Sequence, residues 1–296
     1  MSPAQQENGS GGGPTALRIQ LGSELRRLRK KRGLTRENAG WEIRASESKI
    51  SRMELGRVPF KERDVADLLT LYRVDDQDRL RLLDLVRRAN EPGWWHRFSD
   101  IAPPWFLPYL GLEEAASLIR TYEVHFVPGL LQTPDYTRAV IRLGHAHASA
   151  AEIDRRTELR QMRQDVLRRP SPPHLWAVID EAVLRRPVGD EDIMRGQIEA
   201  LIEASLQPQI RLQIIPFRAG GVAPDGCPFA ILRFAEAALS DVVYVEQLTS
   251  AMYLDKPADV DHYVLAMDHA CLKAEPPDRT ADVLAAMLPE VAAPIS

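Results

Sequence analysis

Two cysteines, Cys227 and Cys271, are all the thiol chemistry in this 296-residue sequence. They are too few and too far apart for a disulfide framework, and in a reducing compartment they are expected to be buried free thiols. No Cys-x-x-Cys and no His-Glu-x-x-His occurs, and the seven histidines (His96, His125, His145, His147, His174, His262 and His269) are scattered, so zinc-ligand spacing is missing. His145-Ala-His147 lies in an Ala-rich stretch and reads as solvated. Gly220, Gly221 and Gly226 lack the Lys and Ser/Thr of a phosphate-binding loop. Asp180-Glu181 follows an expected strand, where a salt bridge to Arg185 or Arg186 is the simpler reading than acid–base chemistry. No catalytic residue, metal site or cofactor is therefore expected, and the chain does not read as an enzyme. Membrane-length apolar runs and a signal-peptide core are also missing, so a soluble cytoplasmic protein with no membrane partner is expected.

Charge is present but unevenly placed. Residues 1–90 hold 19 Lys and Arg against 13 Asp and Glu, a net +6, while residues 91–296 hold 19 against 29, a net −10. A basic head on an acidic body is the distribution expected when only the head meets phosphate. In the head, Leu21, Leu25 and Leu28 share one face of a helix expected over Leu21–Arg32, with Arg26, Arg27, Arg29, Lys30, Lys31 and Arg32 on the rest and Gly33 as its stop.

Residues 34–56 then carry two helix-start signals. Thr35 and Ser46 can each accept a free amide of a first turn, and Gly40 between them permits a tight helix crossing. Ile43, Ala45, Ile50 and Met53 supply apolar faces, leaving Ser48, Lys49, Ser51 and Arg52 outward on the second helix. This is the outline of a helix-turn-helix whose second helix enters a major groove. The expected DNA-binding residues are Arg36, Ser46, Glu47, Ser48, Lys49, Ser51, Arg52, Arg57 and Lys61. Lys49 and Ser48 should reach base edges, while Arg52, Arg57 and Lys61 should mostly hold phosphates. Two further helices, Lys61–Arg73 (Val65, Leu68, Leu69 and Tyr72 apolar) and Asp76–Ala89 (Leu80, Leu83 and Val86 apolar), complete a five-helix head.

The domains expected are a disordered leader at 1–16, a helix-turn-helix domain at 17–90, an aromatic connecting segment at 91–110, an α+β regulatory or partner-binding domain at 111–290 and a tail at 291–296. Aromatic residues make up 6% of the chain, yet Trp94, Trp95, Phe98, Trp105 and Phe106 crowd the connecting segment. They serve either as packing anchors or as a binding surface; Trp94, Trp95, Trp105 and Phe106 are the candidate partner- or ligand-binding residues. A helix is expected over Glu113–His125, another opening at Thr133-Pro134, and a charged helix over 150–169 with Glu152–Arg156 and Asp165–Arg169 pairs. Strands are expected at Leu175–Val183, Ile210–Phe217, Phe229–Phe234, Val242–Gln247 and Ala251–Leu254, and helices near 190–206, from Pro257 to about Leu272, and over Arg279–Leu288. The fold class is a mainly α, five-helix, lambda-repressor-like head followed by an α+β body with a helical first half.

The head resembles the XRE (Cro/repressor-like) helix-turn-helix family over residues 19–75. The body resembles the uncharacterised domain that follows such heads in actinobacterial regulators. The matching residues are Trp94-Trp95-His96, Tyr122-Glu123, Val127-Pro-Gly-Leu-Leu-Gln-Thr133 with Tyr136, Asp180-Glu-Ala182, Leu184-Arg-Arg-Pro187, Pro216-Phe217 and Val243-Tyr-Val-Glu246. The resemblance implies an antitoxin-like or developmental transcriptional regulator that works with a small partner protein encoded nearby; a small-molecule sensor is the alternative for the body. Double-stranded DNA, a homodimeric state and nucleoid association on DNA follow as expectations. Two positions depart from the family pattern: Arg36 stands where Gln is usual, and Arg44 where the turn often has Gly, at a strain of order 1 kcal/mol if left-handed.

Overall fold

The structure, a computed structural model, describes residues 13–221, 227–236 and 239–291. The described residues divide into two compact units: 13–96 with 111–115, 236 and 239, and 97–110, 116–221, 227–235 and 240–291.

The first unit is built from α1 (Pro14–Lys31), α2 (Arg36–Glu42), α3 (Glu47–Glu54), α4 (Glu62–Leu71) and α5 (Asp76–Ala89). Helix α1 starts at Pro14 rather than at the expected Leu21, because Pro14 needs no amide partner in the first turn and Thr15, Leu17 and Ile19 are buried. Residues 14–16 of the expected leader therefore belong to the head; residues 1–12 lie outside the described residues. Thr35 caps α2 by accepting from the Asn38 amide and Ser46 caps α3 by accepting from the Lys49 amide, as the spacing predicts. Helix α5 buries Leu82, Leu85, Val86 and Ala89, an i, i+3, i+4, i+7 stripe. The expected Leu80 is instead 72% exposed, since it falls outside that stripe.

Leu21 and Leu25 of α1 meet Ile50 and Met53 of α3, Val65, Leu68 and Leu69 of α4, and Leu82 and Val86 of α5 in one core. Each such side chain gives about 1.5–3 kcal/mol on leaving water. Gly22 permits the closest approach: a Cβ there would lie 2.5 Å from the Met53 carbonyl and 2.8 Å from that of Glu54. Gly40 serves the turn more than a helix crossing, because a Cβ there would meet the Ala45 carbonyl at 2.5 Å. Arg44 in that turn is left-handed at φ 52°, the strained conformation that its departure from Gly predicts.

The second unit carries α6 (Leu107–Ala115, shared between the units), β1 (Leu118–Glu123), α7 (Pro134–Gly144), α8 (Ala150–Gln164), β2 (His174–Asp180), α9 (Ala182–Arg185), α10 (Glu191–Ser205), β3 (Ile210–Ile215), β4 (Phe229–Arg233), β5 (Val242–Glu246), β6 (Ala251–Leu254), α11 (Pro257–Lys273) and α12 (Thr280–Val291). The sheet order is β3-β2-β1-β4-β5-β6. Strands β1, β2 and β3 run parallel, and β1-β4, β4-β5 and β5-β6 are antiparallel. The α+β class holds, but the body's first half is not purely helical. The helix expected over Glu113–His125 is overturned after Ala115: Leu118–Glu123 is a strand, flanked by β2 and β4 in the sheet interior. Its β-branched and aromatic residues, Ile119, Thr121 and Tyr122, favour that outcome, and four consecutive buried positions cannot be read by helical period.

Tyr122, Phe229, Ile231, Val243 and Val245 form one core with Val260, Met267 and Ala270 of α11. Glu152 pairs with Arg156 at 2.8 Å as expected. Asp165 pairs with Arg168 at 3.3 Å instead of Arg169, because the chain tightens to a 3-10 turn after Gln164 and brings i+3 into line. Glu181 pairs with Arg185 at 2.9 Å. The cysteines are less buried than expected: Cys227 is exposed and Cys271 half-buried, the latter's thiol pushed up by burial.

Candidate nucleic-acid interface

Two short helices, α2 and α3, set the geometry. The turn Arg44–Ser46 joins α2 to α3, with the Ala45 amide donating to the Gly40 carbonyl at 2.8 Å. Helix α3 turns Ile50, Met53 and Glu54 inward and leaves Ser48 and Arg52 exposed, with Ser51 and Lys49 half-buried. Ser46 is exposed, but its hydroxyl oxygen is engaged as the cap of α3. Glu47, Arg57 and Lys61 are exposed as well; Glu47 sits in the first turn of α3, where an acid complements the helix dipole.

Beneath this surface lies an ion triad absent from the sequence expectations, with Arg29 and Glu54 buried and Arg36 half-buried. Arg29 donates through Nε to Glu54 Oε1 at 2.5 Å and through Nη2 to Oε2 at 3.0 Å. Arg36 donates through Nε to the same Oε2 at 3.1 Å. Arg29 also reaches the Leu34 carbonyl at 2.6 Å, so α1, α2 and α3 are tied at one carboxylate. The Glu54 bond raises the Arg29 guanidinium above its ordinary value. Arg29, expected on the solvated face, is therefore a core group, and Arg36, expected among the DNA-binding residues, is held by Glu54. A signal was present in the sequence: Glu54 follows Ile50 and Met53 at i+4 and i+1, on the apolar stripe of α3.

Lys49 is also engaged. Its ammonium meets Asp64 of α4 at 2.6 Å, with the two side chains 33% and 15% exposed. Arg32, counted in the basic run, caps α4 by donating to the Tyr72 and Arg73 carbonyls at 2.6 and 3.1 Å.

Two family models match the chain: a helix-turn-helix domain (HTH_31) over residues 20–82, and a domain of unknown function (DUF5753) over residues 106–286, more than half of the sequence. The chain belongs to the DUF5753 family. No curated protein and no solved structure matches it. The first unit is thus a helix-turn-helix head, which marks a DNA-binding regulator, and the DUF5753 domain lies largely in the second unit.

The aromatic candidates separate in the structure. Trp95 is buried, and a Cβ at Gly111 would lie 3.0 Å from its ring, so it packs within the first unit with Trp94 edge-on at 5.7 Å. Trp105 and Phe106 belong to the second unit and are half-buried. There the Tyr253 hydroxyl donates to the Trp105 carbonyl at 2.6 Å, and the Arg163 guanidinium lies 5.0 Å over the Phe106 ring.

Within the DUF5753 domain, the Val127–Thr133 segment is held by three glutamines. Gln132 donates to the Val127 carbonyl at 2.7 Å and accepts from Arg160 at 2.7 Å. Gln164 donates to the Gln132 and Gly129 carbonyls at 2.7 and 3.1 Å, and Gln197 donates to the Leu131 carbonyl while accepting the Thr133 amide, both at 2.8 Å. Nearby Glu123 has its carboxyl pushed up to about 7 by burial, partly offset by the Thr121 hydroxyl and by Arg160 and Arg163. Among the described residues no group of three or more His, Cys, Asp or Glu is placed to hold a metal, and no helix is long and apolar enough to cross a membrane.

Proposed function

We propose that this protein is a sequence-specific transcriptional regulator of the antitoxin-like or developmental kind, acting without enzymatic chemistry. It binds operator DNA as a homodimer on half-sites about 34 Å apart, one helical turn. The observation that supports this reading is the capped α2-turn-α3 unit, which leaves Ser48 and Arg52 exposed on a basic head. Mutation separates base reading from anchoring. Lys49→Ala should relax preference at one base pair by about 1–3 kcal/mol. Arg57→Ala should weaken binding to all duplexes alike and lower the salt slope by about one unit. Equilibrium binding on selected and random duplexes checks both; identical behaviour of the two variants would sink the assignment.

The DUF5753 domain, in this reading, receives the signal by binding a small partner protein. In support, Leu248 is almost wholly exposed beside β6, whose outer edge pairs with no strand among the described residues, and Met252 on that strand is exposed too. A small-molecule signal is the second reading, favoured by the buried Tyr244 hydroxyl, which lies near the Glu246 carboxylate and makes no hydrogen bond of ordinary geometry among the described residues. The burial of Trp95 supports a packing role, so Trp95→Ala should lower the melting temperature, while a double variant of Leu248 and Met252 to Ser should leave melting unchanged and lose the co-purifying partner. Retention of the same partner by that folded variant would count against the β6 surface.

A further inference from the structure

A lysine expected to read a base is already held by the protein. Lys49 lies in the first turn of α3 and Asp64 in the first turn of α4, and Nζ and Oδ2 are 2.6 Å apart. Both side chains are largely shielded, Asp64 the more so, which makes the pair tighter than an exposed ion pair on mobile side chains. An ammonium has three hydrogens. One is spent on Asp64, and two remain for acceptors in front of α3. We infer that Asp64 is a positioning residue that converts Lys49 from a general phosphate attractor into a directed reader of a base with two neighbouring acceptors, the pattern guanine shows through N7 and O6 in the major groove.

Two physical effects act in the same direction. A free lysine loses rotamer freedom when it fixes on a base, whereas a lysine held by Asp64 has lost most of it on folding. The Asp64 carboxylate also neutralises Lys49 toward a uniform phosphate backbone, so binding to unrelated DNA weakens while the directed contact survives. Discrimination of this kind needs a repulsive element beside the attractive one, and Asp64 supplies it. No sequence signal marks the pair, because the two residues are fifteen positions apart on different helices.

The inference rests on the DNA-binding reading above and is tested with the full chain. A duplex is selected by the wild type from a random pool. Wild type, Asp64→Asn, Lys49→Ala and the double variant are then titrated on it and on an unrelated duplex at several salt concentrations. Asp64→Asn should bind the unrelated duplex several-fold more tightly, steepen its salt slope by up to about one unit, and lower the selected-to-unrelated ratio by roughly five- to tenfold. In the Lys49→Ala background the same change should leave the ratio where it was, because Asp64 acts through Lys49. Asp64→Glu, which keeps the charge, should retain more discrimination than Asp64→Asn and so controls for folding. An unchanged ratio in Asp64→Asn overturns the inference, as does an equal loss in the Lys49→Ala background. A wild type that enriches no sequence overturns the DNA reading itself, a failure visible before any variant is made.

Discussion

Replacing Glu54 with Gln should cost the head about 3–5 kcal/mol, because it leaves the Arg29 guanidinium buried without its counter-charge. Glu54 is 2% exposed and Arg29 7%, so water cannot take over as partner for either. The change keeps the size of the side chain and removes only its charge, and it loosens Arg36 as well, since both arginines share the one carboxylate. For a unit of this size each kcal/mol corresponds to roughly 4–8 °C of melting temperature, so the first unit's calorimetric transition should fall by about 12 °C or more. Specific DNA binding should fall with it. Arg29→Met combined with Glu54→Leu should recover much of the loss, because an apolar pair in place of a buried ion pair is often neutral. A Glu54→Gln transition within two or three degrees of wild type would mean that the triad does not hold the head together.

The second large effect lies in the DUF5753 domain. Gln132→Ala removes one acceptor of Arg160, an acceptor of the Thr137 hydroxyl and the donor to the Val127 carbonyl. Gln132 and Thr137 are buried, and each buried group left unpaired costs about 1–3 kcal/mol. A total near 3 kcal/mol should lower the second unit's transition by roughly 6–12 °C, given about 2–4 °C per kcal/mol for domains of 150–250 residues. The first unit's transition should not move. Equal shifts in both would show that the glutamine hub is not local to the second unit.

These two sites also mark where the sequence could and could not be read. Caps announce themselves locally, and so Thr35, Ser46 and Thr133 were legible: each accepts the amide that its spacing predicts. The strand Val242–Glu246 was legible from its valines and Ala251–Leu254 from its short apolar run, each bounded by turn residues. Strand β1 was not, because its neighbours β2 and β4 lie far away in the chain and decide its state. The register of α5 was misread at Leu80 because its sequence offers two apolar stripes and only the fold chooses between them. On the proposed DNA-binding face, the exposure of Ser48 and Arg52 was legible from helical spacing. The choice of partner for Arg36 and for Lys49 was not, because each partner comes from another helix, although the place of Glu54 on the apolar stripe of α3 marked it as buried.

Gly22 has a consequence that falls on the DNA. With α1 backbone set against the Met53 and Glu54 carbonyls, and Gly56 left-handed with the Ile19 amide 2.7 Å from where a Cβ would stand, the C-terminal end of α3 has no slack. On the DNA-binding reading proposed above, a helix seated this firmly would tilt less readily to follow an ill-fitting groove than the duplex would bend, twist or widen to meet it. Base steps that deform easily, such as TA and CA, then become favourable at positions no side chain touches. Part of the operator would thus be written in the stiffness of the DNA rather than in its hydrogen-bonding edges.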